Sequence, residues 1–156
     1  MKLFPMTPDE YHHWFNRSQI AYVADKKRAN DLTQEQAEKI AAQDFARNLP
    51  DGLQSKDCYF YSLKKPNEIA VGFILLLVRG PENDRRAFVG DVIIEEEHRG
   101  KGYGKLIMQL VEEEAKALGL NRIGLHVFGY NETAIQLYKK LGYLTSDLVM
   151  EKKLTN

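Results

Sequence analysis

Arg99-Gly100-Lys101-Gly102-Tyr103-Gly104 stands between an apolar run, Ala87 to Ile94, and an amphipathic stretch carrying Leu106, Ile107, Leu110, Val111 and Leu118 on one side. An apolar run without alternation predicts a strand covered on both faces at the centre of a sheet. The stretch that follows, closed by Gly119, predicts a helix. Glycines at such a strand-to-helix turn leave backbone N–H groups free at the positive end of the helix dipole, and the missing side chains let anionic oxygens approach them. Lys101 and Lys105 add positive charge. The chemistry indicated is phosphate or diphosphate binding, although a glycine triplet in isolation is equally a turn. No Gly-Lys-Ser/Thr is present, so a nucleotide P-loop is excluded, and the glycine spacing misses the dinucleotide pattern G-x-G-x-x-G.

Downstream, Ile123 to Phe128 reads as a strand. Asn131 then precedes a short helix with Ala134, Ile135, Leu137, Tyr138 and Leu141 on its buried side, closed by Gly142, and a last strand is expected near Leu144 to Lys152. Upstream, Met1 to Met6 predicts an edge strand. Thr7, Pro8, Asp9 and Glu10 then start a helix expected to reach about Ala24. Asp25 to Asn30 is polar, Thr33 caps a second helix carrying Ala37, Ile40, Ala41 and Phe45, and Pro50 to Gly52 ends it. Cys58 to Leu63 and Ile69 to Arg79 predict a hairpin of strands. This order implies a mixed α/β fold, expected as one domain over residues 1–156, without repeats or linkers.

With 44% hydrophobic and 28% charged residues the chain has the balance of a folded domain. Lys plus Arg and Asp plus Glu both number 22, so no net field draws it to nucleic acid or to an anionic membrane. Cys58 is the only cysteine, which rules out an intrachain disulfide and fits a reducing, cytoplasmic compartment. The longest apolar run, Ile69 to Val78, is about half a membrane span, and no signal-peptide stretch opens the chain. One cysteine and scattered histidines lack metal-ligand spacing, so no metal is expected.

Arg99-x-x-Gly102-x-Gly104 resembles the Q/R-x-x-G-x-G/A acetyl-CoA pyrophosphate loop of the GNAT N-acetyltransferase superfamily. Asn131, Ala134, Leu137, Tyr138, Leu141, Gly142 and Tyr143 are similar to that family's N-x-x-A-x-x-L-Y-x-x-x-G-F/Y segment, with Tyr143 in place of the commoner phenylalanine. More narrowly, Leu49 to Leu53 and Leu125 to Phe128 resemble a group of acetyltransferases from low-GC Gram-positive bacteria.

The resemblance implies the GNAT acyl-CoA N-acyltransferase fold, a mostly antiparallel sheet splayed between its fourth and fifth strands and flanked by helices. It implies acetyl-CoA as co-substrate, held by the backbone of Val92 and Ile94, by Arg99, Gly100, Lys101, Gly102, Tyr103, Gly104 and Lys105, and by Asn131, Ala134 and Tyr138. Tyr138 would protonate the leaving thiolate, or else pack as an amphipathic aromatic. Asn131 would cap its helix, bond the pantetheine, or both. An amine acceptor, small molecule or peptide, must lose a proton. Phe88 stands where one family branch carries a glutamate base. His126 lies where some ribosomal-protein acetyltransferases carry theirs, and imidazole titrates near neutrality; Asp91 is the alternative. Direct transfer in a ternary complex is expected, with a catalytically silent acetyl-CoA-binding module as the alternative and a homodimer as a family expectation. The opening helices and the loop around Asp25 to Leu32 would set the acceptor.

Overall fold

Thr7 and Thr33 each accept a hydrogen bond from the backbone N–H three residues on, and the Glu10 and Gln36 side chains accept one from the threonine N–H, so both opening helices start in capping boxes. The computed structural model describes residues 1–155. Its elements are β1 (Lys2–Pro5), α1 (Pro8–Asn30), α2 (Gln34–Asn48), β2 (Cys58–Lys64), β3 (Gly72–Arg79), β4 (Arg86–Ile94), α3 (Tyr103–Ala117), β5 (Ile123–Leu125) and α4 (Glu132–Lys140).

The five strands form one sheet in the order β1-β2-β3-β4-β5, with β1 to β4 antiparallel and β5 parallel to β4. β3 explains why its sequence is apolar without alternation. Ile74 and Leu76 pack with Ile107, Met108 and Val111 of α3, whereas Phe73, Leu75 and Leu77 pack with Trp14 and Phe60 beneath α1. Each such buried side chain contributes about 1.5–3 kcal/mol relative to an exposed one.

Four expectations are corrected. α1 runs to Asn30, and Asp31, in the left-handed conformation, closes it by donating its N–H to Lys27 O. Lys27 and Arg28 suit the negative end of a helix, which is why a polar stretch stays helical. β3 begins at Gly72, and Ile69 is 90% exposed in the turn before it. Residues 144–155 form no strand, and Leu144, Leu148, Val149, Met150 and Leu154 are all exposed. Their apolar positions cluster at 148–150 instead of alternating, so no single face was available to bury. Finally, β5 ends at Leu125 and not at Phe128, while Glu112 and Glu114 of α3 accept from the hydroxyls of Tyr143 (3.1 Å) and Tyr61 (3.4 Å).

Candidate active site

β4 and β5 pair only over Ala87, Phe88 and Val89 against Ile123, Gly124 and Leu125. Beyond that the strands part, which shortens β5 from the expected Ile123–Phe128 and produces the splay between the fourth and fifth strands. Glu95 donates its N–H to Val71 O on the β3 side. Backbone N–H groups alternate along a strand, so those of Val92 and Ile94 face the opened side. The Ile94 carbonyl there accepts from Arg99 Nε at 3.0 Å, which leaves the Ile94 N–H as its free group.

A bulge in β4 decides which side chains reach the opening. Leu75 sits opposite Asp91 and Leu76 opposite Val89, so Gly90 is the unpaired residue. One extra residue reverses the alternation: Ala87 and Val89 face α3, whereas Asp91 and Ile93 face α1. A Cβ at Gly90 would meet Leu75 and Leu77 side-chain atoms at 3.1 Å, so the bulge has room only for glycine unless they shift.

α1 presents Trp14, Ser18, Tyr22 and Asp25 along one stripe at helical spacing. Trp14 Nε1 and Ser18 Oγ both donate to Asp91 Oδ2, at 2.9 and 2.8 Å. Nearby, Glu95 binds Arg17 (2.5 Å) and His13 (3.0 Å), tying α1 to the end of β4. Burial pushes the Asp91 carboxyl above its ordinary range, and the charge of Asp25 adds to the rise. Donors from Ser18, Trp14 and the Val92 backbone oppose it.

Asp91, Val92, His126, Asn131, Ala134 and Tyr138 share one cleft of about 460 Å³, roofed by α1 and α2. Burial, and then the charge of Asp91, raise the pKa of Tyr138, which keeps its hydroxyl protonated at neutral pH. His126 is exposed at the cleft wall, edge-on to Phe128 at 4.8 Å between ring centroids. Asn131 caps α4, its Oδ1 accepting from Ala134 N at 3.3 Å.

Ile94 and the segment Arg99 to Lys105 lie outside this cleft, farther along the same strand and into α3. Gly102 is the N-cap of α3 with φ +83°, and Gly100 has φ +73°, conformations in which other residues are strained. No side chain caps that helix, so its first-turn N–H groups are open to an anion. Arg99, Lys101 and Lys105 are exposed around it. A Cβ on Gly104 would touch Leu137 of α4 at 3.5 Å, which sets the start of α3 beside the helix that carries Tyr138. The free Ile94 N–H leading to an uncapped helix start fits a long ligand with an anionic end, as acetyl-CoA is.

Sequence reading missed Trp14, Ser18 and Tyr130, and left Asp25 in a loop. The spacing 14, 18, 22, 25 was the available signal for the α1 stripe, and Gly90 inside an apolar strand was the signal for the bulge. Among the described residues no group of three or more His, Cys, Asp or Glu side chains is arranged to hold a metal ion, and no helix is long and apolar enough to cross a membrane.

A profile of the acetyltransferase (GNAT) family matches residues 9–143. Over 152 residues the chain is 32% identical to YycN of Bacillus subtilis, named as an uncharacterized N-acetyltransferase, covering 97% of both chains. It is 30% identical over 149 residues to YdgE of the same organism, which carries the same description, covering 96% of this chain and 95% of that one. The crystal structure of YycN superposes with a TM-score of 0.92 at 31% identity, over 99% of this chain and 98% of that one. The open β4–β5 junction, the uncapped glycine turn into α3 and these likenesses converge on one assignment: the chain belongs to the GNAT acetyltransferase family.

Proposed function

We propose that the protein moves the acetyl group of acetyl-CoA to a primary amine by direct attack in a ternary complex. The observation that carries this reading is the parting of β4 and β5, which opens backbone N–H groups onto the cleft that holds Tyr138, His126 and Asp91. The diphosphate would lie on the start of α3, with Arg99 to Lys105 around it, and the pantetheine along Val92 and Ile94 toward Asn131, Ala134 and Tyr138. The amine nitrogen attacks the thioester carbonyl carbon, and a backbone N–H of β4 stabilises the charge growing on its oxygen. His126 would take the amine proton, with Asp91 or water as the alternative. As the carbon–sulfur bond breaks, the Tyr138 hydroxyl gives its proton to the thiolate.

Thiol release from acetyl-CoA in the presence of a panel of amines tests the reading. Tyr138→Phe should slow single-turnover transfer by about 10²-fold with acetyl-CoA affinity unchanged. Tight acetyl-CoA binding without thiol release for any amine would make the protein a silent binding module instead. Of His126→Ala and Asp91→Asn, the one that lowers turnover at constant cofactor affinity marks the base.

The cytoplasm is the compartment that fits a chain with one cysteine. The five exposed apolar side chains of residues 144–155 support pairing of two copies through this arm.

A further inference from the structure

From Tyr138 the cleft continues outward along a wall of rings. His126 meets Phe128 edge to face at 4.8 Å, and Phe128 stacks on Tyr130 at 5.7 Å. The wall ends at half-buried Asp25, whose Oδ1 accepts from the Tyr130 hydroxyl. Among the described residues no donor is bonded to its other oxygen, Oδ2. Asp25 lies seven residues after Ser18 on the cleft-facing stripe of α1, about 10 Å along the axis. Ser18 in turn holds Asp91 at the inner end. The cleft therefore has a carboxylate at each end and aromatic faces between.

The other charges nearby are already engaged. Asp44 has one oxygen on the Tyr22 hydroxyl and the other on Arg47. Lys26 lies over the Tyr22 ring at 5.5 Å and Arg28 over the Tyr130 ring at 3.9 Å, and neither forms an ion pair with Asp25 among the described residues. The charge of Asp25 helps raise the pKa of Asp91, as expected of two like charges facing one cavity. A cation between them offsets that repulsion.

Building on the transferase reading, we propose that the acceptor carries a second cationic group, seated against Asp25 while the other amine is acetylated beside Tyr138. The substrate class is a small diamine whose methylenes run along the wall of His126 and Phe128.

n-Butylamine and 1,4-diaminobutane are a matched pair for the test. Wild-type protein should favour the diamine by about tenfold or more in kcat/KM, the scale of one charged hydrogen bond in a partly screened site. Asp25→Asn should bring that ratio to within about threefold, and Asp25→Glu should keep most of it. Equal use of both amines by the wild type, or an undiminished preference in Asp25→Asn, overturns the seat while the transferase reading stands. A preference for ornithine over 1,4-diaminobutane would hand the outer end to Lys26 and Arg28 and also overturn it. Calorimetry of 1,4-diaminobutane binding to the protein with coenzyme A covers the remaining case. If neither amine is acetylated, binding that is lost in Asp25→Asn upholds the seat, whereas no binding, or binding unchanged in Asp25→Asn, overturns it; the transferase reading stands or falls separately with the wider amine panel.

Discussion

Asp91 shows how a single buried side chain can weigh against stability. Its folded-state pKa is raised above the ordinary 3.8, first by burial, against the pull of Ser18, Trp14 and the Val92 backbone. A raised pKa gives stability that is fully present below the unfolded value and lost as pH rises through the folded value. At neutral pH, then, the raised pKa weighs against the fold. Asn keeps an acceptor for Trp14 and Ser18 without the charge, so Asp91→Asn should melt at or above the wild-type temperature at neutral pH. The gap should close as pH falls below about 3.8, where both are neutral. Thermal unfolding across that range checks it, and a variant much less stable at neutral pH would make the hydrogen bonds, not burial, the larger effect. Asp91 was visible in the sequence as a candidate base. Its partners were not, because a one-residue bulge at Gly90 selects which face it joins, and periodicity carries no such count across a bulge.

At the level of elements, Glu10 joins the start of α1 to β2. It accepts from the Thr7 N–H at 3.0 Å to close the α1 capping box, and from Ser62 Oγ (2.8 Å) and Lys64 Nζ (2.7 Å) of β2. Burial is the largest single influence and raises its pKa, but Lys64, Thr7 and Ser62 together outweigh it and lower the pKa below 4.5. A depressed carboxyl gives stability that is present above the unfolded value and lost as pH falls through the folded one. Glu10→Gln should therefore cost about 1–2 kcal/mol at neutral pH, measured by denaturant unfolding, and progressively less below about pH 4.5. The cap and both opening helices were legible, since Thr7, Pro8, Asp9 and Glu10 are local signals. The end of α1 was not, because charged residues continue a helix as readily as they leave it, and the Asp31 turn decides the matter.

Across the whole molecule, the mostly antiparallel sheet and the opening at β4–β5 followed from the family resemblance that the ordered motifs carry, whereas the expected last strand did not form. Residues 144–155 extend past Tyr143 with their apolar side chains in solvent, and none of them lines the cleft. Ending the chain after Tyr143 should leave acetyl-CoA affinity within about twofold and convert a sedimenting dimer to a monomer. A full-length chain that sediments as a monomer would remove the arm from any role in association. The parted strands have a consequence for how such a protein can be redesigned. On the proposed reading, the thioester would be held mostly by main-chain N–H groups, which survive almost any side-chain exchange, while the amine would meet side chains on α1 and in the stretch after β5. A substitution library over Tyr22, Asp25 and Phe128 would therefore explore new acceptors while leaving the main-chain donors in place.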